Sequence, residues 1–197
     1  MNNEVTIERT LVLIKPDGVV RGLVGEITQR FERTGLKIVG VKMVWADKDQ
    51  AMAHYPSSEE HMRGMGEKTL KTYSEYGLDP KEYVGTDDAL EIGKMIRQWN
   101  ADFISQGPVI AIALEGNHAI DNVRLLAGNT IPTFAQPGTI RGDYSIDSPA
   151  LANSRKRAVK NLIHASGDRE EAEREIKHWF KEGELHSYGR ADEEAMF

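Results

Sequence analysis

The sequence predicts an α/β sandwich, and three observations carry that reading. Thr10–Ile14, Leu36–Trp45 and Pro108–Leu114 are apolar, β-branched runs of strand length. Between them lie segments whose apolar residues recur at helical spacing. A short fourth run, Asn161–Ala165, is followed at once by an acidic amphipathic segment. The order strand, helix, strand, helical region, strand, helix, short strand, helix does not alternate parallel crossovers throughout. It fits a split βαβ, ferredoxin-like (βαββαβ) arrangement, with an antiparallel sheet covered by helices.

Each element has its own signal. Thr10–Ile14 reads as a central strand ending in the turn residues Pro16-Asp17-Gly18, which places Lys15 at the mouth of the sheet. Leu23, Ile27 and Phe31 mark a helix stopped by Gly35. After the second strand a polar helix reaches His54-Tyr55. From Pro56 to Asn100 the glycines at 64, 66, 77 and 85 predict short pieces, with one further helix around Leu90, Met95, Ile96 and Trp99. Gly116-Asn117 is expected to cap a helix with Ile120, Val123 and Ala127 inside and Arg124 one turn past Ile120. Thr130–Asp143 is an irregular Gly- and Pro-punctuated loop. Asp168 with Glu171 reads as a capping box, and Ala172, Ile176, Trp179 and Phe180 form the buried face behind it.

Composition narrows the function. A chain of 197 residues, 40% hydrophobic and 28% charged, suits one globular domain with a full-sized core. With no cysteine there is no disulfide and no thiol or thiolate chemistry, which fits a reducing compartment. No apolar run approaches bilayer length, and the polar start Met1-Asn2-Asn3-Glu4 is unlike a signal peptide, so a cytoplasmic protein is expected. A net charge of −6 argues against membrane or specific nucleic-acid binding. A small anionic substrate remains open if the site gathers its own cations.

The candidate chemistry centres on His164. It stands at a strand end with Glu175 on the following helix, so a carboxylate can fix its tautomer and leave one ring nitrogen free as a nucleophile. Lys15, Arg124, Thr130 and Arg141 all sit beside turns. If they converge, they form a cage of donors for phosphate oxygens, much of what phosphoryl transfer asks of a protein. The six histidines show no His-Glu-x-x-His pair, so no dedicated metal site is expected.

Several motifs, in order, carry a resemblance. Lys15-Pro16-Asp17-Gly18-Val19, Arg21-Gly22-Leu23-Val24-Gly25-Glu26-Ile27, His54-Tyr55, Pro137-Gly138-Thr139-Ile140-Arg141-Gly142-Asp143 and Asn161-Leu162-Ile163-His164-Ala165-Ser166 resemble the nucleoside diphosphate kinase family. The resemblance implies reversible ping-pong transfer of a γ-phosphate between nucleoside tri- and diphosphates through a phosphohistidine. It implies His164 as nucleophile, with Lys15, Arg124, Thr130 and Arg141 on phosphate and Asn161 on the ribose with Lys15. Tyr55 would steady the histidine, and Ser166 and Glu175 would orient its ring. It also implies Mg²⁺ carried on the nucleotide phosphates and a homo-oligomer, tetramer or hexamer. Met43 and Trp45 fit such a covered strand and fit core packing equally well. The family commonly has His-Gly-Ser-Asp where this chain has His164-Ala165-Ser166-Gly167. Two insertions, about 56–100 and 145–160, are expected within a single domain spanning 1–197. Met62, Met65, Leu70, Tyr73 and Tyr76 could offer a wall for a nucleobase or could bury against the insertion's own helix.

Overall fold

The computed structural model describes residues 6–196; the polar start Met1–Glu4 lies outside the described residues. Four strands, β1 (Ile7–Ile14), β2 (Lys37–Val44), β3 (Val109–Asn117) and β4 (Ile163–Ala165), form one sheet in the order β2-β3-β1-β4. Every neighbouring pair is antiparallel. This is the ferredoxin-like arrangement. Side chains alternate along β1, sending Val12 and Ile14 to one face and Leu11 and Leu13 to the other. Both faces are covered, which is why β1 and β3 read as nearly unbroken apolar runs.

Helices α1 (Pro16–Val20) and α2 (Val24–Glu32) follow β1, and α3 (Lys48–His54) follows β2. The Pro-Asp-Gly stretch is helical rather than a turn, because Pro16 occupies a first-turn position where its missing N–H costs nothing. The long connection from β2 to β3 holds α4 (Glu59–Glu75), α5 (Pro80–Val84) and α6 (Ala89–Ser105). After β3 come α7 (Ala119–Ala127), α8 (Ile140–Tyr144), α9 (Pro149–Ser154), α10 (Arg169–Trp179) and α11 (Glu193–Met196). Ile27, Phe31, Val123 and Ala127 of α2 and α7 pack on one face of the sheet. Ala51, Ile104, Ile176 and Trp179 of α3, α6 and α10 pack on the other.

Three further local expectations change. Gly64 and Gly66 do not break the chain: they lie inside α4, a helix of 17 residues. A Cβ on Gly66 would meet the Ala89 carbonyl oxygen at 1.8 Å, and one on Gly93 the Met62 carbonyl oxygen at 1.8 Å. Both glycines are therefore where α4 and α6 cross with their backbones in contact. That crossing buries Met62, and Tyr73 is buried further along α4, so neither offers an open wall to a nucleobase. Third, β3 runs on through Gly116 and Asn117, and His118, in the left-handed region at φ 44°, is the residue that precedes α7.

The crossing predicts a contrast between two neighbouring substitutions. Gly93→Ala should lose about 1–3 kcal/mol in urea denaturation, because α6 must move off α4. Gly64→Ala, with open space at its Cβ, should gain a few tenths of a kcal/mol to about 1 kcal/mol from helix propensity. Equal stability of the two variants would show that the crossing does not depend on Gly93.

Candidate active site

β4 is only three residues long, and the backbone before it is tightly specified. The Ile163 amide donates to the Asn161 carbonyl at 2.8 Å, closing a three-residue turn around Leu162, whose φ is +69°. A buried leucine in that region costs of order 1–3 kcal/mol and persists only where its surroundings over-determine it. At Leu162 they do. Its amide donates to the buried Asp17 carboxylate at 3.1 Å, and its carbonyl accepts from the Lys15 amide at 2.8 Å. The loop after β1 thus fixes the turn that delivers His164, which pairs in register with Leu13.

The His164 ring meets α10. Its Nε2 lies 2.8 Å from Oε2 of Glu175, which is 1% exposed, and the Ser166 hydroxyl donates to the same oxygen at 2.7 Å. A carboxylate accepts only, so Nε2 carries the proton and the Nδ1 lone pair is left free. Ser166 therefore acts on the carboxylate rather than on the ring. Asp168 caps α10 by accepting from the Glu171 amide at 2.8 Å. The reciprocal half of the expected capping box is displaced, since Glu171 accepts from the amide of Gly167 and not of Asp168.

Cations and amides gather on the other side of β4. A cavity of about 260 Å³ is lined by Arg124, Gly128, Asn129, Thr130, Arg141 and Ala165 among others. Arg124, which is exposed, donates to the Gly167 carbonyl at 2.7 Å, and Arg141 donates to the Ile163 carbonyl at 2.9 Å. The two guanidiniums thus grip the chain on either side of His164. Arg141 also donates to the carbonyls of Asn161 and Gly128 at 3.2 and 2.7 Å. Lys15 donates from Nζ to Asn161 Oδ1 at 2.8 Å, and the Asn161 amide donates to the Thr130 carbonyl at 2.8 Å. Lys15, Asn161, Thr130 and Arg141 therefore form one hydrogen-bonded set, and Arg124 meets it at the cavity wall. Burial lowers Lys15 to about 8, offset by Asp17 and reinforced by Arg141. Burial, with Arg124 adding to it, lowers Arg141 to about 10.

Tyr55 is half-buried beside this group, and burial together with the Glu175 carboxylate pushes its phenol well up. It touches His164 through an intermediary: the buried His54 ring packs edge-on against both, at 4.7 and 4.5 Å between centroids. His54, His164 and Glu175 bring ligand-type atoms within 4.8 Å of one another. These residues are already engaged with hydrogen bonds: His54 Nδ1 accepts from Trp179 at 3.2 Å and Glu175 Oε2 from His164. The trio as it stands is a hydrogen-bonded set.

Sequence reasoning gave no role to His54, Asp17, Arg97 or Arg174. The last two hold His54 and Tyr55 in place from α6 and α10. Arg97 donates to the carbonyls of Met52, Tyr55 and Pro56, and Arg174 to that of His54. Arginines that bind backbone carbonyls leave no spacing pattern in a sequence.

A sequence model of the nucleoside diphosphate kinase family matches residues 8–67 and 91–185, which contain every one of these site residues. The chain belongs to the nucleoside diphosphate kinase family. A nucleoside diphosphate kinase of Pyrobaculum aerophilum is 52% identical over 179 residues, covering 91% of this chain and 98% of that protein. A solved NDP kinase structure from the same organism has a TM-score of 0.88 at 50% identity, covering 92% of this chain and 100% of that one. A Borrelia burgdorferi nucleoside-diphosphate kinase, solved as a transition-state mimic with bound vanadate and ADP, has a TM-score of 0.76 at 36% identity and covers 95% of each chain. The chain is accordingly an enzyme, a phosphotransferase of the nucleoside diphosphate kinase class. The family model leaves out residues 68–90, which run from within α4 through α5 to the start of α6, and passes through 145–160 without interruption.

The buried lysine predicts a trade-off within this kinase site. Lys15 titrates near 8 in the folded chain against an ordinary 10.5, so its cost to stability is full below about pH 8 and is relieved as pH rises towards 10.5. Lys15→Met should raise urea-denaturation stability relative to wild type at pH 7, with the gap closing by about pH 10. A gap that stays constant with pH would show that Lys15 bears no such cost.

Proposed function

We propose that this kinase transfers the γ-phosphate of a nucleoside triphosphate to a nucleoside diphosphate through a covalent phosphoryl group on His164, in a reversible ping-pong cycle. The observation that carries the reading is the hydrogen bond from Nε2 of His164 to the buried carboxylate of Glu175. In the forward half-reaction the Nδ1 lone pair attacks the γ-phosphorus and a P–N bond forms. The bond from that phosphorus to the bridging oxygen breaks, and the nucleoside diphosphate leaves with the electron pair. Nε2 keeps its proton, and the charge growing on the ring faces Glu175. A β-phosphate oxygen of the second nucleotide then attacks the phosphohistidine and reverses the sequence.

Arg124, Arg141 and the Thr130 hydroxyl are assigned to the phosphoryl group, since all three residues line the one cavity. Lys15 is assigned to phosphate and, with Asn161, to the sugar; Tyr55 and Ser166 hold the His164–Glu175 pair. The capture of the Borrelia relative with vanadate and ADP as a transition-state mimic supports a phosphoryl-transfer site in this fold. The described residues lining the cavity include no carboxylate, which fits Mg²⁺ held by the nucleotide's own phosphates. When bound there it would neutralise β- and γ-oxygen charge.

A homo-oligomer, tetramer or hexamer, is part of the proposal. Val41, Met43 and Trp45 on and just after the edge strand β2 are 57, 62 and 68% exposed, so core packing within one subunit does not account for them. Sedimentation showing only monomer at micromolar concentration would reject that part. A cytoplasmic setting is proposed as well; among the described residues no helix is long and apolar enough to cross a membrane.

Incubation with ATP and Mg²⁺ should add one phosphoryl mass per chain, acid-labile, base-stable and discharged by a nucleoside diphosphate. His164→Ala should show none. Arg124→Ala should still form the adduct, roughly ten- to a thousandfold more slowly, as expected for one charge-stabilising donor. A full adduct on His164→Ala would overturn the assignment.

A further inference from the structure

Trp179 sits on the buried face of α10, where a core tryptophan needs no explanation beyond packing. Its polar edge is more specific. Nε1 lies 3.2 Å from Nδ1 of His54, which is 1% exposed. An indole N–H can only donate, so Nδ1 of His54 must accept and the ring's proton must sit on Nε2. That tautomer is not the one local pairing would select, because Nε2 of His54 has no hydrogen-bond partner among the described residues. Nδ1, by contrast, lies 3.8 Å from Oε1 of Glu175. A proton on Nδ1 would bring a further donor to the carboxylate that already serves His164 and Ser166 through Oε2 and Arg174, at 3.5 Å, through Oε1.

We propose that Trp179 is a positioning residue, which holds His54 as the neutral Nε2–H tautomer and so reserves Glu175 for His164. The inference rests on the reading of His164 as nucleophile. A protonated His54 would harm that nucleophile twice. It would draw Glu175 towards itself, and it would place a cation in a ring whose centre is 4.5 Å from that of His164. Tyr55 packs against His54 from its own segment and His178 from α10, while Arg174 and Arg97 bind the backbone carbonyls around it and Lys15 stands at the end of β1. Burial, followed by the charges of His164, His178, Arg174 and Lys15, holds its pKa well below the ordinary 6.5. Against these, Glu175 favours the charged form. The indole occupies the lone pair through which that carboxylate would act.

The first test reads the wild-type protein without turnover. ¹⁵N NMR of labelled histidine should show His54 as the neutral Nε2–H tautomer through the neutral pH range; a charged ring or an Nδ1–H tautomer at pH 7 would overturn the proposal. The second uses Trp179→Phe and the pH profile of single-turnover phosphorylation from ATP. Without the indole, His54 should gain a proton beside Glu175 on acidification, so the acid limb should move up by about one pH unit or more. Adding His54→Gln, which cannot take that proton, should remove the displaced limb. A rate lowered by the same factor at every pH, or a displaced limb that survives in the double variant, would mean that Trp179 is packing alone. The tautomer measurement stands apart from the identity of the nucleophile, so failure of the phosphohistidine reading would be seen separately as a missing adduct.

Discussion

The carboxylate of Glu175 is buried between α10 and the sheet and accepts from both His164 and Ser166. A buried carboxylate is tolerable only when its lone pairs are used; His164 and Ser166 meet one oxygen and Arg174, at 3.5 Å, the other, so donors and carboxylate specify one another. Much of the local structure serves that contact. Ala172, Ile176 and Trp179 anchor α10 on the sheet and set the rotation that turns Glu175 inward. Ser166 reaches back to β1, where its hydroxyl accepts from the Leu11 amide at 3.3 Å. The strained turn at Leu162, held by Asp17 and Lys15, brings His164 to the carboxylate from the other side.

The same region gathers positive charge in an acidic protein, and it does so by burying it. Lys15 and Arg141 are each under 10% exposed, and both are depressed by burial. Arg141 has three backbone carbonyls as partners, drawn from the chain segments around the cavity and β4. It is therefore a structural centre as well as a candidate phosphate ligand, and removing it takes a donor from three carbonyls at once. Arg124, exposed and bound to one carbonyl, separates the two roles more cleanly. Fixed donors of this kind need no reorganisation when a phosphate arrives, which is what makes them effective in a dry site.

How legible this was depended on the kind of signal. β1 and β3 are readable because burial on both faces leaves an unbroken apolar run, and α2, α7 and α10 because one face buried against the sheet leaves a period in the sequence. The candidate site was readable through separate motifs that agree in order. Gly66 misled, because a glycine that allows close helix contact looks the same in sequence as one that ends a helix, and Gly64, with open space at its Cβ, is simply tolerated within α4. Pro-Asp-Gly suggested a turn, although Asp17 is used to hold Leu162 and Pro16 to start α1. Trp179 was read as core, and it is; the direction of its N–H towards His54 is set by tertiary packing and has no counterpart in spacing.

The proposed phosphohistidine route turns on which nitrogen of His164 is free. Because Glu175 holds Nε2–H, the phosphoryl group should be attached to Nδ1. The phosphorylated enzyme, prepared with ATP and Mg²⁺ and kept at alkaline pH, distinguishes the two isomers by ³¹P and ¹⁵N NMR. A phosphoryl group on Nδ1 of His164 is the predicted result, and one on Nε2 would contradict the orienting role of Glu175.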